Sequence, residues 1–165
     1  MRPNRTSLAS RLRLPYATFG GTAAIVTSVG LIVGFGAVTE SRATLVGALL
    51  IVAVADNLTD SLGIHIYQES ENIDVRSAIQ ATVANFLVRL VTAASFVLLV
   101  VALPPTLVAG ASVAWGLLLL GGLTFLLAHK RHVSPSREIL IHVGIACAVV
   151  IVSRAIGVWT RACVR

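Results

Sequence analysis

Two aspartates one helical turn apart carry the first hint of chemistry. In the run Ala55-Asp56-Asn57-Leu58-Thr59-Asp60-Ser61-Leu62-Gly63-Ile64-His65-Ile66-Tyr67-Gln68-Glu69, a helix turning about 100° per residue puts Asp56, Asp60, Gly63 and Tyr67 within an arc of about 60°. Two carboxylates on one face are hard oxygen ligands, suited to a divalent cation. Asn57, Ser61 and His65 fall on another face, so His65 joins that pair only through a neighbouring helix. Arg89, Arg154 and His142 also interrupt apolar runs. A charge at bilayer depth costs roughly 2.5–3.5 kcal/mol on insertion scales, so each of these needs a reason. Three reasons are open. Asp56 and Asp60 form a metal site, with Tyr67, Glu69 and Glu71 near its inner mouth. Alternatively, Arg89 and Arg154 are their buried charge partners, the four charges cancelling in sign and specifying helix packing. A third reading keeps one aspartate protonated, because adjacent carboxylates in low dielectric resist double ionisation.

The elements that must position these groups follow from composition. The chain has 165 residues, 56% hydrophobic and 12% charged, with a mean hydropathy of +0.90. Soluble domains carry about 25% charged residues. A compact domain of this size buries only about 68–70% of its surface, which leaves too much apolar material for water. Lipid is the expected solvent, and a soluble enzyme, a nucleic-acid-binding domain or a disordered chain is a poor fit. No catalytic Ser–His–Asp or zinc motif stands out, so no enzyme is expected.

Five apolar segments, about 20–38, 43–66, 79–103, 107–128 and 139–158, are each long enough to cross a bilayer core about 30 Å thick. Thr39-Glu40-Ser41-Arg42 reads as a short polar hairpin, Pro104-Pro105 as a helix stop, and Ser134-Pro135 as a restart with proline at the first helical position. The expected organisation is therefore a basic arm (1–19), a five-helix transmembrane domain (20–158) and a short tail (159–165). The first apolar run is too long for a cleaved signal peptide and reads as a transmembrane helix.

Orientation follows from Lys and Arg. With an odd number of spans, Arg2, Arg5, Arg11, Arg13, Arg76, Lys130, Arg131 and Arg137 share one side, against Arg42, Arg161 and Arg165 on the other. The arrangement expected is N-in and C-out in a cell inner (plasma) membrane. Gly30-Leu31-Ile32-Val33-Gly34 is a GxxxG, which lets helix backbones approach closely, either within the bundle or across a dimer. Cys147 and Cys163 have no spacing that suggests a disulfide framework or metal site. His142 reads as a hydrogen-bonded packing residue.

Several strings resemble the vacuolar iron transporter (VIT) family. Gly20-Gly21-Thr22-Ala23-Ala24-Ile25-Val26-Thr27 followed by Gly30 resembles that family's glycine-rich opening helix. Thr59-Asp60-Ser61-Leu62-Gly63 resembles its second-helix segment, and Ser153-Arg154-Ala155-Ile156-Gly157 its closing helix. The resemblance implies a VIT-like bundle, a homodimer with a cation path between protomers, and Fe²⁺ or Mn²⁺ moved in exchange for protons. There are departures. No acid stands near Phe19-Gly20, Asp60 occupies the place of the family's methionine, and Ile64 that of its glutamate. The cytoplasmic metal-binding insertion is reduced to the span between Tyr67 and Ser77. A carboxylate in place of a thioether shifts the preference toward harder metals.

The combined expectation is an all-α, polytopic, five-helix membrane protein whose partners are the lipid bilayer, a second copy of itself and a divalent cation. That cation is transported, and no resident cofactor or nucleic acid is implied. The alternative is a non-transporting membrane protein whose Asp–Arg pairs specify helix packing.

Overall fold

A computed structural model describes the backbone of residues 5–164 and the side chains of residues 18–164. Five helices account for nearly all of it: α1 (Arg5–Val38), α2 (Arg42–Ser70), α3 (Val75–Ala102), α4 (Pro105–Arg131) and α5 (Pro135–Cys163). Each contains a stretch long and apolar enough to cross a membrane, the first being Thr18–Val38. The chain is a multi-pass integral membrane protein.

Every helix outruns its apolar stretch. The second extends past Ile66 to Ser70, the third starts at Val75 rather than 79, and the fifth runs from Pro135 to Cys163. The first begins at Arg5, so the basic arm belongs at least partly to the helix. Hydropathy reports where lipid begins and ends, whereas the hydrogen-bond ladder continues until a cap stops it. The caps are visible. Ser41 Oγ accepts from Thr44 N at 3.2 Å at the start of α2. Pro105 and Pro135 occupy first-turn positions of α4 and α5. At the ends of α2 and α4 the chain closes alike. Ile73 N donates to Gln68 O and Val133 N to Ala128 O, while Asn72 and His132 take the left-handed conformation, each at φ 54°. These six-to-one bonds satisfy carbonyls that the helix end leaves open. The end of α3 is capped from outside, with the Arg42 guanidinium donating to Val101 O at 3.1 Å and Leu103 O at 2.9 Å.

α1 is the centre of the bundle and touches all four other helices, whereas α2 packs on α3 and, more lightly, on α1. One face of α2 is therefore open in a single chain. Two kinds of contact hold the helices. Toward the α1–α2 loop end lies an apolar core built around Ile32, Val33, Leu45, Phe96, Val100 and Val108. Along α1 and α5, small residues bring backbones together. A Cβ built on Gly30 would stand 3.0 Å from Ser153 Oγ, and one on Gly34 would stand 3.2 Å from Ser153 O. From the opposite side, a Cβ on Gly157 would stand 2.9 Å from Ala37 Cβ and collide with Gly34 O. The GxxxG of α1 thus serves an internal crossing with α5, met there by Ser153 and Gly157 one turn apart. His142 Nδ1 lies 3.2 Å from Thr124 Oγ1, which ties α5 to α4.

Candidate functional site

The α2–α3 pair brings Asp56, Asp60 and Arg89 into one cluster. Arg89 is the fifteenth residue of a 28-residue helix, and the two aspartates lie near the middle of α2. At a rise of about 1.5 Å per residue all three sit close to half-way along their helices, out of reach of either interface. The guanidinium forks between the carboxylates, Nη2 donating to Asp56 Oδ2 and Nη1 to Asp60 Oδ2. The planar fork suits this role because its donors splay at a fixed angle. Asn57 fixes the pairing of the two helices, its Nδ2 donating to Phe86 O at 2.9 Å.

Two features of this cluster matter chemically. The first is charge. With all three groups ionised the triad carries −1. Arg154, counted as a fourth member by the sequence, is exposed and forms no ion pair with Asp56 or Asp60. It lines a cleft of about 470 Å³ at the α1–α2 loop end with Glu40 and Arg42. The expected cancellation between two aspartates and two arginines therefore does not occur, because α5 presents Arg154 at a different depth and face. The second feature is exposure. The Arg89 side chain is 4% exposed, while those of Asp56 and Asp60 are 43% and 35% exposed. The cation is the buried partner, and the anions open onto the free face of α2.

The remaining sequence candidates lie further along α2. Tyr67, Glu69 and Glu71 are exposed at its last turn and cap, and Glu69 Oε1 stands 3.5 Å from His65 Nε2. They flank the end of the helix nearest the α2–α3 loop, at some distance from the triad along its axis. Among the described residues, no group of three or more His, Cys, Asp or Glu side chains is placed to hold a metal. Any ion at Asp56 and Asp60 would need water, a backbone oxygen or a second chain to complete its shell.

Sequence reasoning set Asn57 and Ser61 apart from the aspartates, and that separation has a structural meaning. Asn57, Ser61 and Gln68 are buried on α2, as are Ala81, Asn85 and Arg89 on α3, where Asn85 also meets α1 at Gly20. The spacing of 4 and 7 residues was a legible signal for such a face, but polarity masked it, since these are not the residues expected inside a lipid-solvated bundle. α1 closes the cluster from behind. A Cβ on Gly20 would clash with Asn85 Oδ1 and stand 3.0 Å from Arg89 Cγ. Glycine there lets α1 lie directly on the arginine stem.

Comparison with family models, curated proteins and solved structures finds no significant match to this chain.

Proposed function

We propose that the protein carries a divalent cation across a cell inner membrane, with Asp56 and Asp60 as ligands and Arg89 as their tethered counter-charge. One observation carries this reading: two carboxylates share a single arginine at mid-span and remain more than a third exposed, so that with all three groups ionised the triad carries −1. An uncompensated charge at that depth is costly, so a cation is the natural complement. The exposed carboxylates also favour a homodimer that covers the open face of α2, placing two such triads beside one another. An N-in, C-out orientation would put Glu69 and Glu71 at the inner mouth, where an acidic end concentrates cations. The resemblance to the vacuolar iron transporter family points the same way and suggests Fe²⁺ or Mn²⁺ as cargo. Asp60 in place of a methionine favours the harder ion.

The test is Mn²⁺ uptake into proteoliposomes, comparing the wild-type chain with Asp60→Ala. Uptake by the wild type that Asp60→Ala abolishes supports the reading. Equal and negligible uptake by both would sink it.

A second reading has its own observation, since Arg89 engages both carboxylates. The triad then serves only to lock α2 onto α3, and the protein transports nothing. On that reading, exchanging charges in an Asp60→Arg/Arg89→Asp double variant partly restores the folding that each single change destroys. A double variant no better folded than the singles removes the direct-pair version.

A further inference from the structure

The buried face between α2 and α3 holds more polarity than the triad uses. Among the described residues, the buried side-chain atoms without a hydrogen-bond partner are Asn57 Oδ1, Ser61 Oγ, both amide atoms of Gln68, Thr82 Oγ1, both amide atoms of Asn85, Arg89 Nε and Ser112 Oγ. All but Ser112 Oγ belong to α2 and α3. Gln68 and Asn85 are 0% exposed, Asn57 1% and Ser61 6%. The bond from Asn57 to Phe86 O sets the antiparallel register, which brings Ser61 level with Thr82 and Gln68 level with the first turn of α3. Asn57, Ser61, Thr82, Asn85 and Arg89 thus gather near the triad, and Gln68 stands about two helical turns further on, at the α2–α3 loop end. At the triad end, Ser28, Asp56, Asn57 and Arg89, together with apolar residues such as Leu49 and Ala93, line a cavity of about 20 Å³. A single water needs roughly 10–15 Å³ and two to four polar partners.

Buried polar groups in proteins are satisfied by protein or by ordered water, and polar residues inside a bilayer face the bundle interior or a wet cavity. A lone orphan could be strain. Unpartnered donors and acceptors gathered on one helix pair, beside a water-sized cavity that Asp56 and Arg89 help to line, mark a hydrated face. The contrast with the apolar core around Phe96 and Val100, at the other end of the same helix pair, sets its limit.

We infer that the α2–α3 face binds a file of internal water, entered beside Gln68, which gives the Asp56–Arg89–Asp60 triad aqueous contact from the α2–α3 loop end alone. Amides and hydroxyls both donate and accept, so such a file holds water in either orientation and relays protons without a titratable side chain along it. This inference does not depend on any cation being carried. It concerns the buried side of the triad, and the transport reading concerns the open one.

Hydrogen–deuterium exchange at a single thiol tests it. In the full chain with Cys147 and Cys163 replaced by alanine, Ser61→Cys places one thiol in the file, and Val100→Cys places one in the apolar core. Infrared spectroscopy in lipid follows the S–H band after transfer to D₂O. Exchange at position 61 at least about tenfold faster than at position 100 is expected, because water reaches the first without opening the bundle and the second only through opening. Equally slow exchange at both positions would overturn the inference. Thr82→Cys replaces Ser61→Cys if that variant does not fold. Adding Gln68→Leu should slow exchange at position 61 by a similar factor, and an unchanged rate would overturn entry at the α2–α3 loop end.

Discussion

The α2–α3 and α1–α5 interfaces solve one problem in opposite ways. Lipid offers helices no hydrophobic reason to associate, so contact must come from close packing or polar bonds. α1 and α5 use the first device, with Gly30 and Gly34 against Ser153 and Gly157 bringing backbone onto backbone. α2 and α3 use the second, with an arginine forked between two aspartates and an amide bonded to a main-chain carbonyl. The first interface is close-packed at its crossing, with small residues in contact. The second is charged, half-open and rich in unpartnered polar atoms. A bundle that needed only cohesion could have repeated the α1–α5 solution. The costlier device at α2–α3 is what the proposed cation site would explain.

The largest effect should follow from removing the buried cation. Arg89→Met leaves two carboxylates at mid-span without their partner, a loss of about 3–5 kcal/mol by analogy with other broken buried pairs. Denaturant unfolding in detergent measures it. If the triad is a cation site, Mn²⁺ should recover part of the lost stability and Na⁺ should not. Full tolerance of Arg89→Met would erase the distinction between the two interfaces.

Next comes the α1–α5 crossing. Gly157→Val drives side-chain carbons into Gly34 O and Ala37 Cβ, and overpacking of this kind costs about 1–3 kcal/mol. Thermal unfolding should show the loss, while cation uptake per folded molecule stays unchanged. Gly36, with nothing within 4 Å of a built Cβ, supplies the control: Gly36→Ala should not lower stability. A Gly157→Val variant that folds normally but loses uptake would mean the two interfaces are not separate devices.

Gly20→Ala sharpens the comparison from within the site, because its methyl group would press on Asn85 and the Arg89 stem. A larger proportional loss of Mn²⁺ uptake than of thermal stability is expected, the reverse of the Gly157→Val pattern. Smallest of all is Glu69→Gln, which breaks an exposed His65–Glu69 contact of 3.5 Å. Exposed pairs of this type contribute about 0.2–1 kcal/mol at most, and an unfolding midpoint shifted no further than that allows is expected.

Much of this was legible in the residues. Five spans followed from hydropathy, and Pro104-Pro105 and Ser134-Pro135 marked the breaks between α3, α4 and α5. The shared face of Asp56 and Asp60 followed from helical periodicity. Charge cost pointed to Arg89 and Arg154 together as their partners, since an arginine inside an apolar run has few other ways to exist in lipid. Other features were not legible. The sequence cannot say which of two arginines reaches the aspartates, because that depends on which helix packs beside α2, and Arg154 proved to be on the wrong one. Nor could Gly30 and Gly34 announce their partner, since small residues fit any close crossing. Asn57, Ser61 and Gln68 share a face by spacing, yet only the packing of α3 against α2 shows that face to be interior.

The central claim is that the triad is left one positive charge short, and that a cation supplies it. Mn²⁺ binding followed by loss of the free-ion electron paramagnetic resonance signal tests this directly, comparing the wild-type protein with Asp56→Asn/Asp60→Asn in the same detergent. Saturable binding by the wild type that disappears in the double variant, with both proteins folded, is the predicted result. Binding that is identical in the two, or absent from both, would contradict the account.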